Sequence, residues 1–238
     1  MISSLRHWNT HYAKSSIDRA GFYLSWIKKY STIIDEITLD IGCSTGFFSN
    51  AIKKAGGTAI SLDISYKKNT EAHLNYITAD ATMLPIRGNI IKNVFSSDVY
   101  EHIPEQDKFL AENSRVMKKD GFSFFSTGNR FFPIDRHTGF PFIDLLPRWL
   151  ASAWARTQKN RKEYDVYEPD YYELRKKLGK VSSRYIVNFD MFIDFYKLVY
   201  PHLYKPHWIK IALLLDKLGL LKLVTPKYYV VFKRGSMP

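Results

Sequence analysis

"LDIGCSTGFFSNAI", residues 39–52, decides the fold. An apolar, strand-like stretch runs into Gly42, Ser44 and Gly46, and Phe47, Phe48, Ala51 and Ile52 then follow at helical spacing. Glycines between a strand and a helix let something lie close against bare main chain. Two common glycine loops fit poorly. A dinucleotide fingerprint needs a third glycine where Phe47 stands, and a phosphate-binding Walker loop needs a Gly-Lys-Ser/Thr ending that is missing. The pattern is instead acid-x-Gly-x-Ser-x-Gly, with Asp40 just ahead of the turn.

Outward from this loop the first half of the chain alternates. Strands are predicted over 36–42, 58–65, 75–80, 91–98 and 121–127. Helices are predicted over 47–56, 66–74 and 104–118, with Pro104 in the first turn of the last one. This rhythm specifies βαβ units, hence a parallel sheet with helices on both faces and ligands beyond the carboxyl ends of the strands. The second half departs from it. Residues 129–162 mix prolines and aromatics with Arg130, Arg136, Arg148, Arg156, Lys159, Arg161 and Lys162 against only Asp135 and Asp144. A helix over 168–180 ending at Gly179, a strand over 181–189, an apolar helical stretch at 208–224 and a last strand over 227–234 complete the reading.

Five segments resemble, in order, the motifs of class I S-adenosylmethionine-dependent methyltransferases of the type 11 kind. They are "LDIGCSTGFFS", "LDIS" (62–65), "ITADATMLPI" (77–86), "VFSSDVYEHIPE" (94–105) and "RVMKKDGFSFFST" (115–127). The resemblance covers roughly residues 36–127. It implies a Rossmann-like α/β sheet, mostly parallel with a C-terminal antiparallel strand, and a mainly helical lid or insertion. It also implies S-adenosylmethionine as cofactor, with S-adenosylhomocysteine as product. Gly42, Cys43, Ser44 and Gly46 would then line the methionine and ribose portion, with Ser44 at the family's middle glycine. Asp40 would face the ammonium, and Asp63, 23 residues on, would take the ribose hydroxyls. Ile64 would pack on the adenine, Asp80 and Ala81 would meet its amine, and Ser97 or Asp98 would end near the sulfonium. Tyr12, with Trp8 and His11, would close the pocket from an N-terminal helical cover. Singly, Asp40 or Asp63 also reads as a strand-end acid capping the next helix, and Cys43 as a small packed residue.

The implied organisation is one domain over 1–238. It divides into the cover at 1–35, a cofactor core at 36–128, a substrate-side insertion at 129–180 and C-terminal strands at 181–238, the last with a helical insertion at 190–224. Two histidines are the candidate catalytic groups, His102 after the fourth strand and His137 beyond the fifth; either can titrate near neutral pH. A pocket-shaping role for His102 and a lid-bracing role for the segment around His137 stay open. Asp98, Glu101 and His102 are similar to the "E-x-x-E-H" metal-binding stretch of quinone O-methyltransferases, but with an Asp first; a metal-free site is expected.

The acceptor is read from the rest of the composition. The formal charge of +12 favours an anionic partner, whether nucleic acid, acidic membrane surface or phosphorylated substrate. Segment 190–224 is aromatic, apolar and basic, which suits a lid helix or a peripheral membrane contact. A small or lipid-linked acceptor, methylated on oxygen, is the expectation. An RNA or tRNA methyltransferase and a non-catalytic cofactor-fold partner subunit are the alternatives. The single cysteine fits a reducing compartment, and with no signal-peptide core or membrane span in the sequence a cytoplasmic protein is expected, with a peripheral place at a membrane surface as an option.

Overall fold

The computed structural model describes residues 16–66, 75–135, 137–157, 163–188, 191–199 and 206–234. The expected helix over 66–74 lies almost wholly outside them, as do Trp8, His11, Tyr12 and Arg136.

Seven strands form one sheet: β1 (Ile37–Ile41), β2 (Thr58–Asp63), β3 (Asn75–Thr78), β4 (Ile91–Ser97), β5 (Met117–Gly128), β6 (Tyr185–Asn188) and β7 (Lys227–Lys233). Their order across the sheet is β3-β2-β1-β4-β5-β7-β6. The first five pair in parallel, and β7 runs antiparallel between β5 and β6. Strand order reverses beside β1, so the carboxyl ends of β1, β2 and β4 open onto a crevice.

Alternation along the central strands sorts side chains into two cores. Val94, Phe125, Tyr228, Val230 and Phe232 face α3 (Gln106–Val116) and α5 (Tyr171–Val181). Phe95, Phe124, Tyr229 and Val231 face α1 (16–28), α2 (Phe47–Lys54) and α6 (Met191–Val199). Both faces of the central strands β1 and β4 are buried, and they take Thr38, Asp40, Asn93 and Ser96 into the interior with their apolar residues. A third, small core of Ile143, Ala151, Ala155, Tyr164 and Val166 lies within the insertion around α4 (Arg148–Thr157).

Three local expectations are corrected. Pro104 lies ahead of α3, whose N-cap is Glu105. Gly179 does not end α5; the helix runs on to Val181, because Leu178 is buried in the core and its carbonyl accepts the Ser182 amide. The apolar stretch 208–224 is two helices, α7 (Pro206–Lys217) and α8 (Leu221–Val224), separated at Gly219, whose φ of +67° breaks the helix.

Helix α1 belongs to the core as much as the sheet does. Trp26 is fully buried, and its ring meets those of Phe124 and Tyr229 edge-on at 5.5 and 5.6 Å. Trp26→Ala is expected to cost about 3–5 kcal/mol, read as a lower urea midpoint with an unchanged slope.

Candidate functional site

The turn after β1 is held in a backbone conformation that side chains resist. Gly42, Ser44 and Gly46 all have positive φ, at 73°, 50° and 81°. Ser44 stands in the left-handed region without being glycine, which accounts for a glycine being the usual residue there. At Gly42 space adds to the constraint, since a Cβ would overlap the Cγ2 of Val99.

The Asp63 carboxylate secures this turn from the end of β2. One oxygen accepts the Ser44 amide at 3.0 Å and the other the Ser65 amide at 3.1 Å. Asp40 is buried at the end of β1, where Ser49 Oγ donates to it at 2.6 Å and Ser61 Oγ donates on to Ser49 at 2.7 Å. Burial pushes the Asp40 carboxyl up to about 7, against the opposing pull of the Ser49 hydrogen bonds. Burial likewise pushes the Cys43 thiol up to about 12, so it is a packed, unreactive residue.

Two clefts open on either side of the turn. The larger, about 560 Å³, runs from Asp63, Ile64, Asp80 and Ala81 past Gly42 and Ser44 to Ser97, Asp98 and His102. Asp80 sits in a tight turn, accepting the amide and hydroxyl of Thr82, and Ile64 is 71% exposed at the cleft rim. The smaller, about 200 Å³, is lined by Asp40 and Cys43 together with Ser16, Arg19 and Tyr23 of α1. Gly42, Ser44, Ser97 and Asp98 border both. Gly46 lines neither and instead caps α2.

The structure therefore brings together all the described cofactor candidates except Gly46, whose part is in the turn. His102 reaches the larger cleft; His137 does not line it, but its ring stacks edge-on against His102 with centroids 5.0 Å apart.

Residues unremarked in the sequence complete the site. Tyr23 shares a 2.7 Å hydrogen bond with Ser97, and Lys227, at the start of β7, donates to Asp98 at 2.8 Å from a buried position. Asp98 thus has an ammonium beside it rather than serving with Glu101 and His102 as a metal-binding triplet. Among the described residues two other groups have metal-binding geometry, Glu101 with His102 and His137, and Asp135 with His137 and Glu168.

A seven-stranded sheet in this order, with a non-phosphate loop after β1 and an acid at the end of β2, matches known proteins. Residues 39–125 match the family model for the methyltransferase domain. Residues 39–125 are thus those of a methyltransferase domain, set in a sheet with the class I S-adenosylmethionine-dependent methyltransferase fold. A malonyl-[acyl-carrier protein] O-methyltransferase of Buchnera aphidicola is 34% identical over 42% of this chain and 43% of its own length. A ubiquinone biosynthesis O-methyltransferase of Coxiella burnetii is 26% identical over 52% of this chain and 58% of its own. The chain thus spans about half the length of these relatives. In fold it is similar to an S-adenosylmethionine-dependent methyltransferase from Mesorhizobium loti, with a TM-score of 0.59 at 14% identity, covering 92% of this chain and all of that one. Among the described residues no helix is long and apolar enough to cross a membrane.

The steric demand at the turn after β1 can be separated from the conformational one. Gly42→Ala is expected to destabilise the fold by more than the roughly 1–2 kcal/mol of a left-handed residue. Adding Val99→Ala should return the steric part and leave the strain, as read by chemical denaturation of the single and double variants.

Proposed function

We propose that the protein transfers the methyl group of S-adenosylmethionine to an oxygen of a small or lipid-linked acceptor. The observation that supports this best is the arrangement along the larger cleft. Carboxylates and an apolar wall at one end suit a nucleoside, and an imidazole stands at the other end beside the shared wall of Ser97 and Asp98. The bound cofactor supplies an activated methyl on sulfur; the chain's residues hold it, orient the acceptor and take its proton.

Asp63, already bound to two amides, has acceptor capacity left for the ribose hydroxyls. Asp80, Ala81 and Ile64 take the adenine. Asp40 faces the ammonium in the smaller cleft, and Arg19, on the opposite wall, suits the carboxylate. Tyr23 and Lys227 position Ser97 and Asp98 at the join of the two clefts. His102 is the candidate general base, placed where an acceptor hydroxyl would enter.

The acceptor class is argued from the surface and the relatives. One side of α7 carries Lys210, Ile211, Leu214 and Lys217, all exposed and within about a third of the helix circumference, and exposed Leu218 follows the helix directly. Apolar side chains flanked by lysines suit an anionic lipid interface, where the lysine stems lie flat and the ammonium groups reach outward. Relatives named for methylating a carrier-linked acyl chain and a quinone precursor are compatible with such an acceptor. Cosedimentation with anionic vesicles supports this reading, and a salt-dependent shift of RNA with no vesicle binding overturns it in favour of a nucleic-acid acceptor.

Three outcomes test the site. Asp63→Ala should abolish most S-adenosylmethionine binding in isothermal titration while leaving the circular dichroism unchanged. The Asp40 carboxyl is largely protonated below its raised value of about 7, yet the ammonium pairs with its ionised form. Affinity should therefore fall up to about tenfold per unit as pH drops below 7 and level off above it; Asp40→Asn should bind weakly and lose that dependence. His102→Ala should lower kcat about 10²–10⁴-fold in a labelled-methyl assay, with cofactor affinity nearly unchanged. An unaltered kcat removes His102 as the base.

A further inference from the structure

We propose that the outer face of the insertion after β5 docks on an anionic lipid bilayer, entered by Phe142, Leu145, Trp149 and Leu150. This rests on the lipid-linked reading above and deepens it, adding a second surface to α7 and an orientation shared by both. Ile134 pairs with Pro141 in an antiparallel bridge, and Phe142 donates its amide to the Pro133 carbonyl at 2.9 Å. The limbs so joined bury Asp135 and Ile143 and leave Ile134, Pro141 and Phe142 exposed. Phe142 has a φ of 56°, rare for a bulky residue, and its ring stays half-exposed. In α4, Ala151 and Ala155 turn to the small core of the insertion, while Trp149, 71% exposed, and Leu150 lie outside it. Large apolar side chains exposed together along one stretch mark an interaction surface.

Charge decides what covers this face. Residues 129–162 hold seven lysines and arginines against two acids. Both acids are engaged within the insertion, since Asp135 is buried and accepts the Thr138 hydroxyl, and Asp144 accepts the Tyr164 phenol at 2.6 Å. Exposed Arg156 stands two helical turns from Trp149 on the same side of α4. Rings and aliphatic side chains rimmed by cations suit the level of acidic headgroups. A second copy of the chain fits less well, because a two-fold contact would set like charges face to face. Nucleic acid also fits less well, because Ile134, Leu145 and Leu150 neither stack on bases nor meet phosphates.

Topology places this face on the same edge of the sheet as α7. The insertion leaves β5 at Gly128, and β7 begins at Lys227 directly opposite it. Asn129 ties the two connections together, donating to the carbonyls of Leu223 in α8 and of Thr225 at 3.1 and 2.9 Å. On that edge β4 also ends, at Ser97 beside Ser126, ahead of the turn that carries His102. A bilayer against this edge stands at the acceptor end of the larger cleft, the shortest path for a lipid-linked hydroxyl.

The test titrates the full chain with mixed phosphatidylglycerol–phosphatidylcholine vesicles and with phosphatidylcholine vesicles alone. Binding to the mixed vesicles only, weakened by salt, is expected. In the unaltered protein these vesicles should slow hydrogen exchange at the amides of residues 142–150, a readout that needs no variant. Trp149→Ser with Leu150→Ser should weaken binding at least about tenfold, with S-adenosylmethionine affinity and circular dichroism unchanged, and Arg156→Ala about fivefold. No binding to mixed vesicles overturns the inference together with the lipid-linked acceptor, and leaves a small soluble one. Binding that the Trp149 and Leu150 pair of substitutions leaves intact, but Ile211→Ser with Leu214→Ser abolishes, overturns the inference alone, since the contact is then made by α7. Equal binding to neutral vesicles also overturns it. So does a dimer in sedimentation velocity without lipid that the Trp149 and Leu150 substitutions dissolve.

Discussion

The bond from the Ser44 amide to the Asp63 carboxylate is the constraint on which the site depends. It joins the turn after β1 to the end of β2. Parallel register already brings Ile41 opposite Leu62, and the Gly42 and Cys43 amides both reach the Leu62 carbonyl. The turn is thereby fixed in three left-handed positions whose intrinsic cost is offset by main-chain bonds and one carboxylate. Without that tie the two clefts would share no defined wall. With it, Gly42 and Ser44 present bare or small backbone to both sides.

Much of this was legible because it is local. A strand, a glycine turn and a helix in 14 residues encode their geometry in neighbouring side chains, and the parallel sheet follows from repeating the unit. Asp40, Asp63 and Asp80 stand out in the sequence because each lies at or just past the carboxyl end of a predicted strand, where a parallel sheet gathers its loops. Tyr23 and Lys227 were not. Tyr23 meets Ser97 across 74 residues and Lys227 meets Asp98 across 129, and nothing near either residue distinguishes it from an ordinary core tyrosine or a strand-end lysine. Gly179 and the 208–224 stretch misled for the converse reason. Tertiary burial of Leu178 carried one helix past its glycine, while Gly219 divided an apolar run whose hydrophobic period gave no sign of a break.

The position of Asp98 shows how spacing and geometry can part. In the sequence it stands three residues before Glu101, as the first acid of a metal-binding stretch does. In the structure its backbone has a φ of 57°, and its carboxylate turns to the ammonium of Lys227. A buried lysine needs such a partner, and β7 offers one only because it inserts antiparallel between β5 and β6. The topology of the last strand thus decides the charge at the join of the two clefts.

The insertion has a corresponding logic. Residues 163–170 have no regular secondary structure, so their main-chain groups must be paired elsewhere. The Tyr167 amide donates to the Glu101 carbonyl at 2.6 Å, Gln106 donates to the Tyr167 carbonyl, and Arg130 and Arg148 take the carbonyls of Glu168, Tyr164 and Val166. The strap is in this way sewn to the turn that carries His102 and to the start of α3.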